Sequence, residues 1–313
     1  MQIAKKTGIL SAVLIATGVM AANAQTITPG PRHSISEICA GGECVWEKVA
    51  TCSGFLEGIN VTKDDTVYMV GYFEGQIYKV EDGSCVPVGA AGGAPNGAKL
   101  APDGSMLIAD RLGGIMRADL ATGERTSVHP SYGVVNFRGL NDLVFDSEGG
   151  YYFTEPYGSD ALNAVGKVYY VAPGEGSKPQ VFLENMAYPN GIAVSANGQQ
   201  IYVSEFARNR VISAPSVHTK NPFDSPVVFA RFEGGIGPDG LAVDAAGNVY
   251  VAHFNAGQVV VVDAQGFHYG TLPLPAGAGP FTTNVAIRNG HMYVTEAAKN
   301  ELWKMAVNAE AID

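Results

Sequence analysis

The chain of 313 residues has room for one large domain or two small ones. Its 39 glycines and 17 prolines make it rich in turns, 46% hydrophobic residues supply a core, and only 16% are charged; together these exclude disorder, coiled coil and a long helical array. A formal net charge of −10 argues against nucleic acid as a partner, because affinity for phosphate rests on clustered Lys and Arg. It suits a small molecule, or a cation held by carboxylates.

Lys5 and Lys6 precede an apolar run over residues 8–20, and Ala22-Asn23-Ala24 supplies small residues at a cleavage point. Residues 1–24 therefore read as a secretory signal cut after Ala24, which predicts a secreted or periplasmic protein. The run is shorter than the ~20 residues that span a bilayer, and no later stretch is long enough, so no membrane association is expected after cleavage. Residues 25–52 form an N-terminal extension. Cys39, Cys44, Cys52 and Cys85 in an oxidising compartment suggest two disulfides, with three pairings possible. The favoured set is Cys39–Cys44, across a short loop, and Cys52–Cys85. A zinc site is disfavoured: there is no C-x-x-C pair, and the six histidines have no ligand spacing.

Residues 53–313 are organised by an internal repeat. Pro95-Asn96-Gly97, Gly139-Leu140-Asn141-Asp142-Leu143, Pro189-Asn190-Gly191 and Pro238-Asp239-Gly240 each open a short apolar run that leads to a polar turn and a second run. Asn96 to Gly104, Asn141 to Gly149, Asn190 to Gly198, Asp239 to Gly247 and Glu57 to Asp65 are each eight residues apart; Asn284 to Gly290 is a shortened version of six. The six starts, Glu57, Asn96, Asn141, Asn190, Asp239 and Asn284, recur every 39 to 49 residues. Four short strands per ~45 residues make a propeller blade, so the expected fold is an all-β six-bladed β-propeller. A series of unrelated hairpins in a sandwich is the alternative, but constant phase over six units is hard to obtain that way. The last unit has room for three strands only, and an open sheet edge invites aggregation. The segment from Cys44 to Val49 is expected to fill it, closing the ring with an N-terminal strand.

Equivalent points of the inner strands face one level of a central channel. All six starts carry a side-chain oxygen and none is apolar. Oxygens without sulfur or imidazole suit a hard cation, calcium first, with Mg2+, Mn2+ or Zn2+ as alternatives. The competing reading is turn chemistry, since Asn-Gly and Asp-Gly are common turn pairs. Pro102-Asp103-Gly104 is such a turn, yet it lies eight residues out of phase with the starts. The second strand of each hairpin returns toward the same mouth. Its ends, Asp110, Glu155, Glu205, His253 and Glu296, with Tyr157, Phe206, Phe254 and Phe281 nearby, predict a substrate pocket, to which Asn96, Asn141 and Asn284 also contribute. The insertion from Pro156 to Lys167 is placed as a lid.

These phrases resemble the SMP-30/gluconolactonase/LRE-like family, above all Gly139-Leu140-Asn141-Asp142-Leu143-Val144-Phe145-Asp146 with Tyr152-Phe153-Thr154, Pro189 to Ser195, and Pro238 to Asp244. The resemblance implies a six-bladed propeller with one divalent metal, held here by Glu57, Asn190 and Asp239, with Asn141 as ligand or substrate contact. It further implies metal-assisted lactone hydrolysis, with Asp239 as first choice of general base and Glu57 as second. The sequence departs from the family in Glu57-Gly58-Ile59, where Glu-Gly-Pro is usual, in Glu155, where Asp is usual, and in the cysteine-bearing extension. The rim aromatics suggest a substrate less polar than a sugar lactone. Two other functions fit the scaffold: a metal-free, strictosidine-synthase-like propeller using Glu296 or Glu205, and a non-catalytic propeller that binds a ligand or partner.

Overall fold

The computed structural model describes residues 33–219 and 223–312. The signal segment predicted for residues 1–24 lies outside them. Among the described residues no helix is long and apolar enough to cross a membrane.

Six antiparallel four-stranded sheets follow one another along the chain as the blades of a propeller. Their first strands are Leu56–Val61, Pro95–Leu100, Leu143–Phe145, Pro189–Val194, Gly237–Val243 and Thr282–Arg288 in blades 1 to 6. Inner strands of neighbouring blades pack beside one another around a common axis. A small hairpin, Ser131–Tyr132 with Val135–Asn136, links blades 2 and 3. Among the described residues the rest is strand and turn, with three one-turn 3-10 helices.

The inner strands of each blade are buried on both faces and so read as near-continuous apolar runs, while the outermost strand is largely exposed. Successive side chains alternate between two blade interfaces. Met69 packs with Leu56, Ile59, Tyr293 and Leu302 between blades 1 and 6, while Val70 packs with Ile77, Ala98 and Met106 between blades 1 and 2. Tyr152 and Phe153 divide in the same way between the two faces of blade 3. There are six such clusters, one for each blade interface. Each fully buried side chain of this size contributes roughly 1.5–3 kcal/mol.

The ring is closed by Trp46–Thr51, which pairs antiparallel with Glu301–Ala306 as the fourth strand of blade 6. Trp46 opposes Met305 and Thr51 opposes Glu301, and the Trp46 indole N–H donates to the Pro273 carbonyl at 2.8 Å. Both disulfides flank this strand. Cys39–Cys44 holds its start, where Cys39 also bridges to Val307, and Cys52–Cys85 ties its end to the outer strand of blade 1.

Candidate functional site at the channel mouth

The six repeat starts sit near the beginnings of the inner strands, where the ladders are irregular. Pairing to the second strand skips between Glu57 and Asn60, Pro95 and Ala98, Pro189 and Ile192, Pro238 and Leu241, and Thr282 and Asn284. A bulge frees a side chain from the pleat and re-aims it. In blade 3 the regular ladder starts only at Leu143, leaving Asn141 and Asp142 ahead of it.

The glycine after the start is a matter of close approach. A Cβ at Gly191 would lie 2.2 Å from the Asp239 carbonyl oxygen, and one at Gly97 would lie 2.7 Å from that of Asn141. Asn96-Gly97 and Asn190-Gly191 therefore lie within strands, against the next blade, and the turn-chemistry alternative does not describe them. Buried hydroxyls tie the blades together at this level. Thr154 Oγ1 donates to Asn190 O at 2.8 Å, Ser204 Oγ to Asp239 O at 2.7 Å, and Thr283 Oγ1 to Leu56 O at 2.6 Å.

A cavity of about 220 Å³ opens here, lined at its floor by Glu57, Asn96, Asn141, Asn190 and Asp239. Asn284 stands beside them, hydrogen-bonded to Glu57. All six are buried. Burial pushes the Glu57 carboxyl up to about 8 and the charge of Asp142 adds to this, while the Asn284 hydrogen bond and the charge of Arg111 pull it down. Asp239 is held well above the usual carboxylate range, first by burial, then by Glu57 and Asp142, against a hydrogen bond from Asn190. Asp142 is raised by burial too, although Lys99 and the amides of Leu143 and Ile192 oppose the shift. Carboxylates crowded this way are relieved by a proton or by a cation.

Among the described residues no three His, Cys, Asp or Glu side chains converge as a metal cluster. The donor set is instead carboxylate plus amide, and Asn190 Oδ1 is buried with no hydrogen-bond partner. An orphaned amide oxygen next to two raised carboxyls fits a hard, oxygen-seeking divalent cation, for which Glu57, Asn190 and Asp239 are the available ligands, with Asn141 and Asn96 beside them.

The residues at the ends of the second strands are placed elsewhere. Asp110, Glu205 and His253 pair across the ladder with Pro95, Pro189 and Pro238, and Glu296 pairs with Thr282. Their side chains cap loops. Asp110 accepts from the amides of Ala94, Leu112 and Gly113, and Glu296 from those of Phe281, Ala298 and Lys299. Glu205 accepts from Ala187 N and pairs with Arg208 and Arg210. Glu155 accepts from the Tyr169 hydroxyl and Arg138 N, and His253 is hydrogen-bonded to Asn209 and Gln258, its pKa lowered by burial. None of Glu155, Glu205, His253 and Glu296 lines the cavity. Tyr157 is more than half exposed and Phe281 stacks on Phe254 from outside. The Pro156–Lys167 insertion is anchored by Ser159, which donates to Met186 O and accepts from Tyr188 N; it does not line the cavity as a lid would.

The residue one step further along the second strand does face the mouth. Tyr72, Arg111 and Phe206 each follow a strand end, and Phe254 follows His253; all four line the cavity, with Phe55, Phe73 and Tyr188. Of these, Phe206 and Phe254 were expected from the sequence. The others and Asp142 were not, although a one-residue shift in phase points to Tyr72 and Arg111.

A family model described as "SMP-30/Gluconolactonase/LRE-like region" matches residues 56–310. The lactonase drp35 of Staphylococcus aureus strain MW2 is 28% identical over 241 residues, covering 74% of this chain and 73% of its own. Its Staphylococcus epidermidis counterpart is likewise 28% identical, over 246 residues, with the same coverage. Among solved structures, the gluconolactonase XC5397 of Xanthomonas campestris superposes with a TM-score of 0.74 at 20% identity, over 87% of this chain and 92% of that one. The calcium-binding protein regucalcin of Agrobacterium tumefaciens does so with a TM-score of 0.72 at 21% identity, over 86% and 95%. At those identities the two structures speak for the fold.

Proposed function

The chain belongs to the SMP-30/gluconolactonase/LRE-like family, and from its buried oxygen cluster we propose that this lactonase-like propeller is a calcium-dependent lactonase. The observation that carries the reading is the unpartnered Asn190 Oδ1 beside the crowded carboxyls of Glu57 and Asp239. Calcium, when bound, supplies Lewis-acid polarisation of the lactone carbonyl and charge compensation for the developing oxyanion. Asp239, fixed by the Asn190 amide, takes the proton of the attacking water. Water oxygen bonds to the carbonyl carbon, the ring C–O bond breaks, and the proton passes from Asp239 to the departing ring oxygen, giving a hydroxy acid. Glu57, braced by Asn284, is the second choice for this proton. Asn96 and Asn141 orient the substrate ring at the cavity floor. Hard donors favour calcium over zinc, and the two disulfides suit an exported protein.

The test is a panel of aldono-, aliphatic and aromatic lactones assayed with calcium, with zinc and with EDTA. Turnover that EDTA abolishes and calcium restores is the expected outcome. Turnover indifferent to chelation overturns the reading.

A further inference from the structure

Arg111 is the one cation among the cavity-lining residues, and its surroundings differ from those of the ion-paired arginines. Arg117 pairs with Asp103, while Arg208 and Arg210 pair with Glu205. Arg111 lies over Tyr72, its guanidinium 5.4 Å from the centre of that ring, with the Tyr188 and Tyr72 hydroxyls nearby. Among the described residues no carboxylate stands within ion-pair distance of it, although its charge reaches Glu57. Two tyrosines thus flank the guanidinium at an aromatic wall, and its charge has no direct partner. A planar fork held this way suits a carboxylate.

The wall around it is aromatic. Phe55, Tyr72, Phe73, Tyr188, Phe206 and Phe254 ring the cavity above the oxygen cluster. At about 220 Å³ the space is below the ~300–1,000 Å³ of pockets that take drug-sized ligands, so one or two small rings fill it. A polyhydroxylated sugar lactone would set hydroxyls against aromatic faces, leaving them poorly hydrogen-bonded.

We propose that the preferred substrate is a small, flat, apolar lactone carrying a second anionic group, a carboxylate, which Arg111 anchors while the aromatic collar holds the ring. The proposal rests on the lactonase reading and deepens it. Hydrolysis creates one carboxylate at the oxygen cluster whatever the substrate; the anion assigned to Arg111 is the other one, present before ring opening and unchanged by it. Arg111 is on this account the residue that sets specificity.

The experiment compares a benzo-fused lactone with the same lactone bearing a ring carboxylate, using the calcium-loaded protein, Arg111→Met and Arg111→Lys. The wild type is expected to favour the carboxylated substrate by about 10- to 100-fold in kcat/KM, the usual scale of a hydrogen bond to a charged group. In Arg111→Met that ratio falls to near one, mainly through KM, and Arg111→Lys restores part of it. A wild type without the preference, or a ratio that survives in Arg111→Met, overturns the proposal; equal losses on both substrates assign Arg111 to Glu57 instead. If the wild type opens neither of these lactones nor any of the wider panel, the lactonase reading fails by itself. The anion site is then judged by calorimetric titration with the matched lactams, charged and neutral. Tighter binding of the charged lactam that Arg111→Met abolishes sustains the site, and equal binding removes it.

Discussion

The two ends of the central channel are made by the same six inner strands, yet they differ in size and in chemistry. The mouth holds a cavity of about 220 Å³ floored by carboxylates and amides, whereas the opposite end opens into about 970 Å³ lined largely by aliphatic side chains such as Ile59, Val61, Leu100, Val194, Val243 and Ile287. The larger space has no orphaned side-chain oxygen among its described lining residues. What separates the ends is the ladder. At the mouth five inner strands skip register beside their oxygen-bearing residue, and below the skip pairing is regular, as in Asn60 with Tyr68 and Val61 with Val67. Local backbone irregularity, more than volume, marks the chemical end.

The sharpest way to break this contrast is kinetic. Asp239→Ala should lower kcat/KM by well over ~100-fold, the upper part of the range for losing a general base. Val194→Ala, at the wide end, should stay within about 2-fold. Similar losses from both would erase the distinction between the ends.

A smaller effect is expected from crowding at the mouth. Gly191→Ala sets a methyl 2.2 Å from the Asp239 carbonyl and should cost about 1–3 kcal/mol of stability in denaturant melts, with lowered calcium affinity. Retention of both would mean that the blades approach less closely than described.

Stability should also depend on pH. Glu57 is raised from 4.5 to about 8 by burial and by Asp142, so the folded state keeps a proton that the unfolded chain loses. Its contribution is full below 4.5 and is lost as pH rises through about 8. Chelated protein should therefore lose Tm over that window, Asp239 adding in the same direction, and calcium should flatten the curve. A flat curve without calcium contradicts the crowding of these carboxyls.

The blades were legible because the inner strands are buried on both faces and the turn glycines keep phase; Gly104, Gly149, Gly198 and Gly247 all have positive φ at the expected points. The six repeat starts were legible for the same reason. Reading the strand ends failed by one residue. Glu205 and His253 lie opposite Pro189 and Pro238, on the side of the pleat that faces the loops, and their neighbours Phe206 and Phe254 take the mouth. Phase alone cannot assign these faces, because the bulge that shifts them leaves no residue type of its own. Asp142 was passed over since it follows Asn141 directly, and in a regular strand adjacent residues point to opposite faces. Here the pairing is irregular, with Asn141 N donating to Thr154 O and Thr154 N to Asp142 O, and Asp142 turns inward to accept from Ile192 N of the next blade.

The central claim is that oxygens from separate blades hold one divalent ion on the axis. Calcium titration of chelated protein by calorimetry, with Asn190→Ala alongside, tests it most directly. The account predicts one calcium per wild-type chain and a large loss of affinity in the variant, whose orphaned oxygen is gone. Absence of calcium binding in the wild type, or unchanged binding in Asn190→Ala, would contradict it.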